Sequence, residues 1–268
     1  MKPVKIGIDA GGTLLKMVYG EKGRFHYKTF STHELQALTG WLNITIPVAS
    51  IALTGGRSAS LKKDYFPDAS IISEFEANCE GAAFLMKGAG IWKDPYLLIN
   101  IGTGTSIYMN KGTSYSRLLG SGIGGGTFMG LGKLLTGVND FAELVSLAAK
   151  GDNKETDLLV KDIYFPSKPP IGGSLTASNF GKSKLNENVS NEDKMSSLTN
   201  MIAETIVLLS MQAAALHQVH DLVYIGGTLK SNNLLKSRLE HYTRMLNLSP
   251  NFLPNGEYSG AVGAFMSL

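Results

Sequence analysis

One cysteine, Cys79, in 268 residues has no partner for a disulfide within the chain and cannot build a Cys-rich zinc or iron–sulfur site. Charge of one sign is equally scarce. The 25 Lys and Arg against 22 Asp and Glu leave +3 at pH 7, too little to hold nucleic acid, and the lysines are scattered instead of clustered with aromatics. The small excess suits an anionic small substrate. No G-x-x-x-x-G-K-[ST] run occurs, which excludes a P-loop. The sequence shows no apolar stretch long enough to span a bilayer, and it opens on a strand-like pattern instead of a charged segment leading into an apolar run. The expectation is a soluble, cytoplasmic protein with neither membrane nor nucleic acid as partner. With 43% hydrophobic residues, the chain can fill one large or two ordinary domains.

What the chain has in quantity is glycine, 31 residues, gathered at turns. Val4, Ile6 and Ile8 alternate with Lys5, Gly7 and Asp9, the period of a strand with one apolar face. Asp9 closes that strand, Ala10-Gly11-Gly12-Thr13 turns, and Leu14-Leu15-Lys16 opens a second extended run. Glycine leaves no Cβ between an amide and an approaching anion, successive N–H groups in such a turn form an anion-binding concavity, and a carboxylate beside it can hold hydrated magnesium. An ordinary Gly-Gly hairpin has the same pattern. The plan recurs, however: residues 96–100 read as a strand, 101–105 as a Gly-rich turn containing Thr103, and 106–109 as the return strand. Two sheet units, each offering a hairpin turn, could grip one nucleotide.

A third glycine run, residues 120–126, feeds Thr127, Phe128, Met129, Leu131, Leu134 and Leu135, which have helical spacing. Such an entrance turns N–H groups and a positive dipole end toward an anion. Gly120, Gly122 and Gly125 also fit a dinucleotide G-x-G-x-x-G. The preceding hairpins and the cap-like Asn139-Asp140-Phe141 argue against that reading. Elsewhere the pattern predicts a helix near residue 32 with Leu35, Leu38 and Leu42 on one side, and a strand over 50–53. A helix follows from Glu74, burying Phe75, Cys79, Ala82 and Met86. Further helices are expected over 141–150 and 155–164, then a polar turn over 175–181 and a polar surface segment over 182–194. The very apolar helix over 195–217 belongs in the core or a subunit interface. His217 and His220 read as residues of its C-terminal end, not as metal ligands. A strand over 222–225 ends in Gly226-Gly227-Thr228, where an adenine or ribose could lie against bare backbone, and helices over 231–245 and around Gly260-Ala261 close the chain.

The stretches DAGGTLLK (9–16), Glu74-Phe75, NIGTGTS (100–106), GGGTFMGLGKLLTG (124–137), 176–181 and 224–227 recur in order over almost the whole chain, and together they resemble type II pantothenate kinases. The resemblance implies an α/β, two-lobed actin-like ATPase (ribonuclease H-like) fold with duplicated mixed sheets. Lobes are expected at 1–90 and 91–268, with the last helix packing back on the first. It further implies ATP-dependent phosphorylation of pantothenate, ATP and Mg2+ as requirements, a homodimer, and coenzyme A or its thioesters as regulators. By the same resemblance ATP meets Asp9, Ala10, Gly11, Gly12, Thr13, Leu14, Leu15, Lys16, Thr103, Gly125, Gly126, Thr127, Phe128, Met129, Phe141 and Gly227. Asp9 organises the metal through water, Glu74 is the base and touches substrate, and Arg117 pairs with the pantothenate carboxylate. Read without the family, Glu74 is a helix-start carboxylate and Arg117 a surface ion-pair residue. Leu119 and Ile123 depart from the small or polar residues common in related sequences. A sugar or amino-sugar kinase, or a non-catalytic nucleotide switch, would use the same glycine turns.

Overall fold

The computed structural model describes residues 3–21, 24–46, 49–182 and 188–268. The chain begins with a meander, β1 (Val4–Ala10), β2 (Leu14–Glu21) and β3 (Arg24–Ser31), followed by α1 (Leu35–Thr45), β4 (Ala49–Thr54), α2 (Ser58–Asp64), β5 (Ser70–Ile71) and α3 (Glu74–Gly88). The strands form one sheet in the order β3-β2-β1-β4-β5, antiparallel through the meander and parallel from β1 to β4 and from β4 to β5. A second meander then starts: β6 (Tyr96–Ile101), β7 (Thr105–Lys111) and β8 (Ser114–Ser121), followed by α4 (Gly125–Thr136), α5 (Phe141–Lys150), β9 (Leu158–Leu159), α6 (Val160–Tyr164) and β10 (Thr176–Ser178). The chain ends with α7 (Asn191–His217), β11 (Asp221–Ile225), α8 (Asn233–Met245), β12 (Ser249–Phe252) and α9 (Ser259–Met266). The second sheet runs β12-β11-β6-β7-β8, with β11 parallel to β6 and β12 parallel to β11. The duplication read from two turns therefore extends to two five-stranded sheets of the same plan.

Three apolar clusters hold these layers together. Ile6, Ile8, Leu15 and Met17 pack on Leu38 and Leu42 of α1, and Leu97, Ile99 and Ile107 pack on α7 and α8 through residues such as Ile202, Ile206 and Leu239. The third cluster joins Val18 of the first sheet to Leu98, Tyr108 and Val223 of the second through Cys79 and Ala82 of α3 and Ala261 and Val262 of α9. Helices α3 and α9 thus lie between the sheets. Their contact is backbone-close: a Cβ on Gly81 would strike the Ser259 carbonyl, and one on Gly263 the Ala77 carbonyl.

Several expectations are corrected. Residues 155–164 do not form one helix. Asp157 is fully buried, accepting hydrogen bonds from the Asn153 and Asn200 side-chain amides and the Phe180 N–H, which draws the chain inward and leaves only β9 and the short α6. The 175–181 turn contains β10, paired antiparallel with β9. In the 182–194 segment, residues 183–187 lie outside the described residues. From Asn191 the chain is already the first turn of α7, capped by the Ser190 hydroxyl accepting the Asp193 N–H at 3.0 Å. Strands β8 and β12 had no sequence signal, because polar Ser114 and Ser116 and the proline of β12 suit the sheet edges they occupy. Helix α7 is long and apolar enough, by length and composition, to cross a membrane, contrary to the expectation. It is instead wrapped by α4, α5 and α8, and its buried Ser196, Ser197, Thr199 and Asn200 face protein.

Candidate active site

A cleft of about 990 Å³ opens between the sheets, lined from both of them. Asp9 is the penultimate residue of β1. The antiparallel register places it opposite Lys16, and the two side chains meet at 3.7 Å with only 14% and 16% of their surfaces exposed. The corresponding pair in the second sheet is Asn100 opposite Ser106. One copy of the duplicated turn is therefore charged and the other neutral, and both face the same cleft. Burial pushes the Asp9 carboxyl up, with the Lys16 ammonium opposing by charge and hydrogen bonding. Gly55, held at φ +88°, brings its turn so close behind Asp9 that a Cβ there would lie 2.7 Å from Oδ1. Among the described residues no group of three or more His, Cys, Asp or Glu gathers to hold a metal. One carboxylate, Asp9, on the wall of an open cleft beside the exposed Gly12–Thr13 turn fits Mg2+, which keeps several waters and takes one or two carboxylates plus substrate phosphates.

The glycine turns meet in one knot. Gly102 and Thr103, in the β6–β7 turn, accept the N–H groups of Gly125 and Gly126 at 2.8 Å each, and Thr228 donates its hydroxyl to the Gly102 carbonyl at 2.8 Å. This corrects the helix-entrance expectation, because the first two amides of α4 are spent on the turn and not offered to an anion. The Gly11 N–H likewise closes its own turn on the Leu14 carbonyl at 3.1 Å, leaving Gly12 and Thr13 as its exposed part. Gly226 is required by geometry. Its φ is +112°, and a Cβ would collide with the backbone of Ile101.

Glu74 is the first residue of α3, placed there by Ser73, whose hydroxyl accepts the Glu76 N–H at 3.2 Å. Buried Asn78, one turn on, donates its side-chain amide to the Glu74 carbonyl at 2.9 Å. The Glu74 side chain stands in the cleft wall. Its carboxyl is pushed up by desolvation and by the nearby Asp9 charge, against the opposing effect of Lys16. Arg117 reaches the same cleft through a bulge: Ile107 faces Leu119 but Tyr108 faces Arg117, leaving Leu118 as one extra residue. Leu118 and Leu119 both pack toward the α7 side, and Arg117 is re-aimed to the face shared with Tyr108 and α3. The guanidinium lies along Gly120, where a Cβ would strike it.

Of the residues expected from sequence, Asp9, Gly11, Gly12, Thr13, Leu14, Lys16, Glu74, Thr103, Arg117, Gly125, Gly126, Met129, Phe141 and Gly227 all line this cleft. Ala10, Leu15 and Phe128 do not: each is buried, the first two under α1 and Phe128 against α7. The Thr127 side chain is occupied in capping, with its hydroxyl donating to the Gly122 carbonyl at 2.7 Å and accepting the Gly124 N–H at 3.3 Å. The cleft also contains Asn78, Asn100, Ser106, Thr228 and Glu257, none of which was singled out. The equivalence of Asn100 and Ser106 to Asp9 and Lys16 was available from the repeated hairpin. Asp140, cap-like in the sequence, caps α5 by accepting the Glu143 N–H at 2.9 Å.

The same architecture is found in solved structures. Component A of (R)-2-hydroxyglutaryl-CoA dehydratase from Acidaminococcus fermentans superposes with a TM-score of 0.69 at 19% identity, covering 99% of this chain and 97% of that one. A ROK family glucokinase from Streptomyces griseus, in complex with glucose and AMPPNP, gives 0.56 at 14% identity, covering 98% of both. At these identities the likeness establishes the fold, the two-lobed α/β arrangement of actin-like ATPases and ROK kinases. Sequence goes further. The profile of the Fumble family matches residues 78–267. A type II pantothenate kinase from Oceanobacillus iheyensis is 43% identical over 264 residues, 98% of this chain and 99% of that protein. One from Staphylococcus saprophyticus is 37% identical over 97% and 99%, and one from Bacillus cereus strain ATCC 14579 is 39% identical over 97% of each. With likeness sustained from end to end, and with the charged turn, the glycine knot, Glu74 and Arg117 on one cleft, this chain belongs to the type II pantothenate kinases.

Proposed function

We propose that the cleft transfers the γ-phosphoryl group of ATP to the primary hydroxyl of pantothenate, the first step of coenzyme A synthesis. The observation that carries this reading is that one carboxylate, Glu74, and one guanidinium, Arg117, from different elements share the cleft of Asp9 and Lys16. That supplies a base and an anion anchor beside a phosphate site. Phosphoryl transfer asks a protein mainly for positioning and charge neutralisation. Gly12, Thr13 and Thr103 meet the phosphates, and Lys16 neutralises charge on them. Phe141, Met129 and Gly227 form the nucleoside end. Asp9 would hold hydrated Mg2+, which supplies charge neutralisation on the phosphate oxygens. Glu74, ionised, accepts the hydroxyl proton as the oxygen attacks, and Arg117 pairs with the acceptor's carboxylate, fixing which hydroxyl faces the base.

The assignment also covers a homodimer, regulation by coenzyme A or its thioesters, and a cytoplasmic location, the compartment that suits the one reduced, buried thiol at Cys79. The test is a coupled ADP-release assay with pantothenate, pantetheine, glucose and N-acetylglucosamine offered in turn. Turnover is expected on pantothenate. Stimulation by a sugar and none by pantothenate would reassign the acceptor.

A further inference from the structure

Glu74 and Arg117 belong to elements far apart in sequence, and one aromatic contact ties them together. Phe75, directly after Glu74, lies between two tyrosines of the second sheet. Its ring centroid is 5.3 Å from Tyr108, tilted by 37°, and 5.1 Å from Tyr115, edge-on at 77°. Tyr108 sits opposite Arg117 in the β7–β8 register, and Tyr115 precedes Arg117 by two residues on the same strand. Tyr108 is 4% exposed, so its ring has no freedom to follow a moving helix. A second tie lies further along α3, where the Tyr115 hydroxyl donates to Glu80 Oε1 at 3.4 Å. Aromatic pairs in these tilted and edge-on arrangements attract beyond the area they bury, because the positive ring edge of one meets the negative face of the other.

We infer that Phe75, clamped by Tyr108 and Tyr115, is a positioning residue that sets the separation of Glu74 from Arg117 and so selects acceptors by the length between hydroxyl and carboxylate. This rests on the proposed roles of Glu74 and Arg117. The chemical logic is that of a fixed span. An acceptor anchored by its carboxylate presents its hydroxyl at a distance set by the chain between them, and an error of about 1 Å at the reacting atoms costs on the order of 10²-fold in rate. A clamp of fixed width rejects acceptors one methylene too short or too long. A loosened clamp tolerates them.

The experiment compares kcat/KM for pantothenate with that for its homologues having one methylene fewer and one more between amide and carboxylate. Wild type, Phe75→Leu, Tyr108→Leu and Tyr115→Phe are measured side by side. A ratio of rates is independent of how much of each preparation is folded, so simple destabilisation does not move it. In Phe75→Leu and Tyr108→Leu the preference for pantothenate over the longer homologue is expected to fall at least tenfold while KM for ATP stays within twofold. Tyr115→Phe, which keeps the ring, is expected to retain the wild-type preference. Should Phe75→Leu fail to fold, Tyr108→Leu and a Phe75→Met variant carry the comparison. Unchanged ratios in active variants overturn the clamp and leave the kinase reading standing. Absence of pantothenate turnover by the wild type overturns that reading itself, and is seen before any variant is compared.

Discussion

At the scale of single residues, the site is two carboxylates made different by their surroundings. Asp9 is held between Lys16, the Gly55 turn and the start of α9, whereas Glu74 stands at an open helix start. In the proposed role of base Glu74 must be ionised, and its carboxyl is raised by desolvation and by the Asp9 charge, against the opposing effect of Lys16. Rate should therefore decline with falling pH, beginning above the ordinary carboxylate range. Glu74→Gln should lower kcat by roughly 10²–10⁴-fold with nucleotide affinity intact, as read by calorimetric titration. Turnover equal to wild type would remove Glu74 from the chemistry. For Asp9 the sign runs through stability. An acid whose pKa is raised by folding binds more protons in the native state, so stability falls as pH rises from the unfolded-state pKa to the folded one, and the deficit persists above it. Asp9→Asn removes that deficit. It is expected to raise stability at pH 7 while abolishing Mg2+-dependent turnover, and urea unfolding at pH 7 and pH 4 should show the gain only at the higher pH.

At the scale of elements, the glycine runs serve packing as well as the proposed nucleotide site. The amides of Gly125 and Gly126 are hydrogen-bonded to the β6–β7 turn, and Thr228 ties the β11 turn to the same carbonyl. Thr228→Val keeps the shape but leaves the Gly102 carbonyl one partner short, a loss of about 1 kcal/mol. Gly226→Ala meets the Ile101 backbone at φ +112° and should cost more, about 1–3 kcal/mol. Denaturant midpoints should rank wild type above Thr228→Val and Thr228→Val above Gly226→Ala; the reverse order would mean that the knot is not under steric control. The cleft was legible in sequence because strand alternation and turn glycines are local, so Asp9, Thr103 and Gly227 could be placed at strand ends and Glu74 at a helix start. What eluded the sequence depends on distant partners. The buried Asp157 network breaks a helix that periodicity alone would continue. The α4 amides are consumed by Gly102 and Thr103 of the β6–β7 turn, far earlier in the chain. Arg117 could be singled out only by family likeness, since its orientation comes from a bulge, and Phe128 and Leu15 carry family motifs yet point into cores.

At the scale of the whole molecule, the two sheets are joined through α3 and α9, and the wall carrying Gly12 and Thr13 of one is positioned against the other by that pair. Ala261, Val262 and Ala264 are fully buried, and Gly263 packs against the Ala77 backbone without room for a Cβ. A side chain there must push α9 off α3. Overpacking of this kind costs about 1–3 kcal/mol and occasionally more, and because α9 also lies on β1 and β4, the first sheet loses its cover at the same time. The only two tryptophans report the two halves separately. Trp41 packs by Tyr19 of the first sheet and Trp92 by Tyr96 of the second. In single-tryptophan backgrounds made by Trp41→Phe and Trp92→Phe, both reporters are expected to unfold at one urea midpoint, and Gly263→Val should lower both midpoints together. Two separate midpoints in the otherwise unaltered protein would make the sheets independent units. The helix pair would then be a linker, and the alignment of Glu74 with the phosphate turns would have to come from bound substrate.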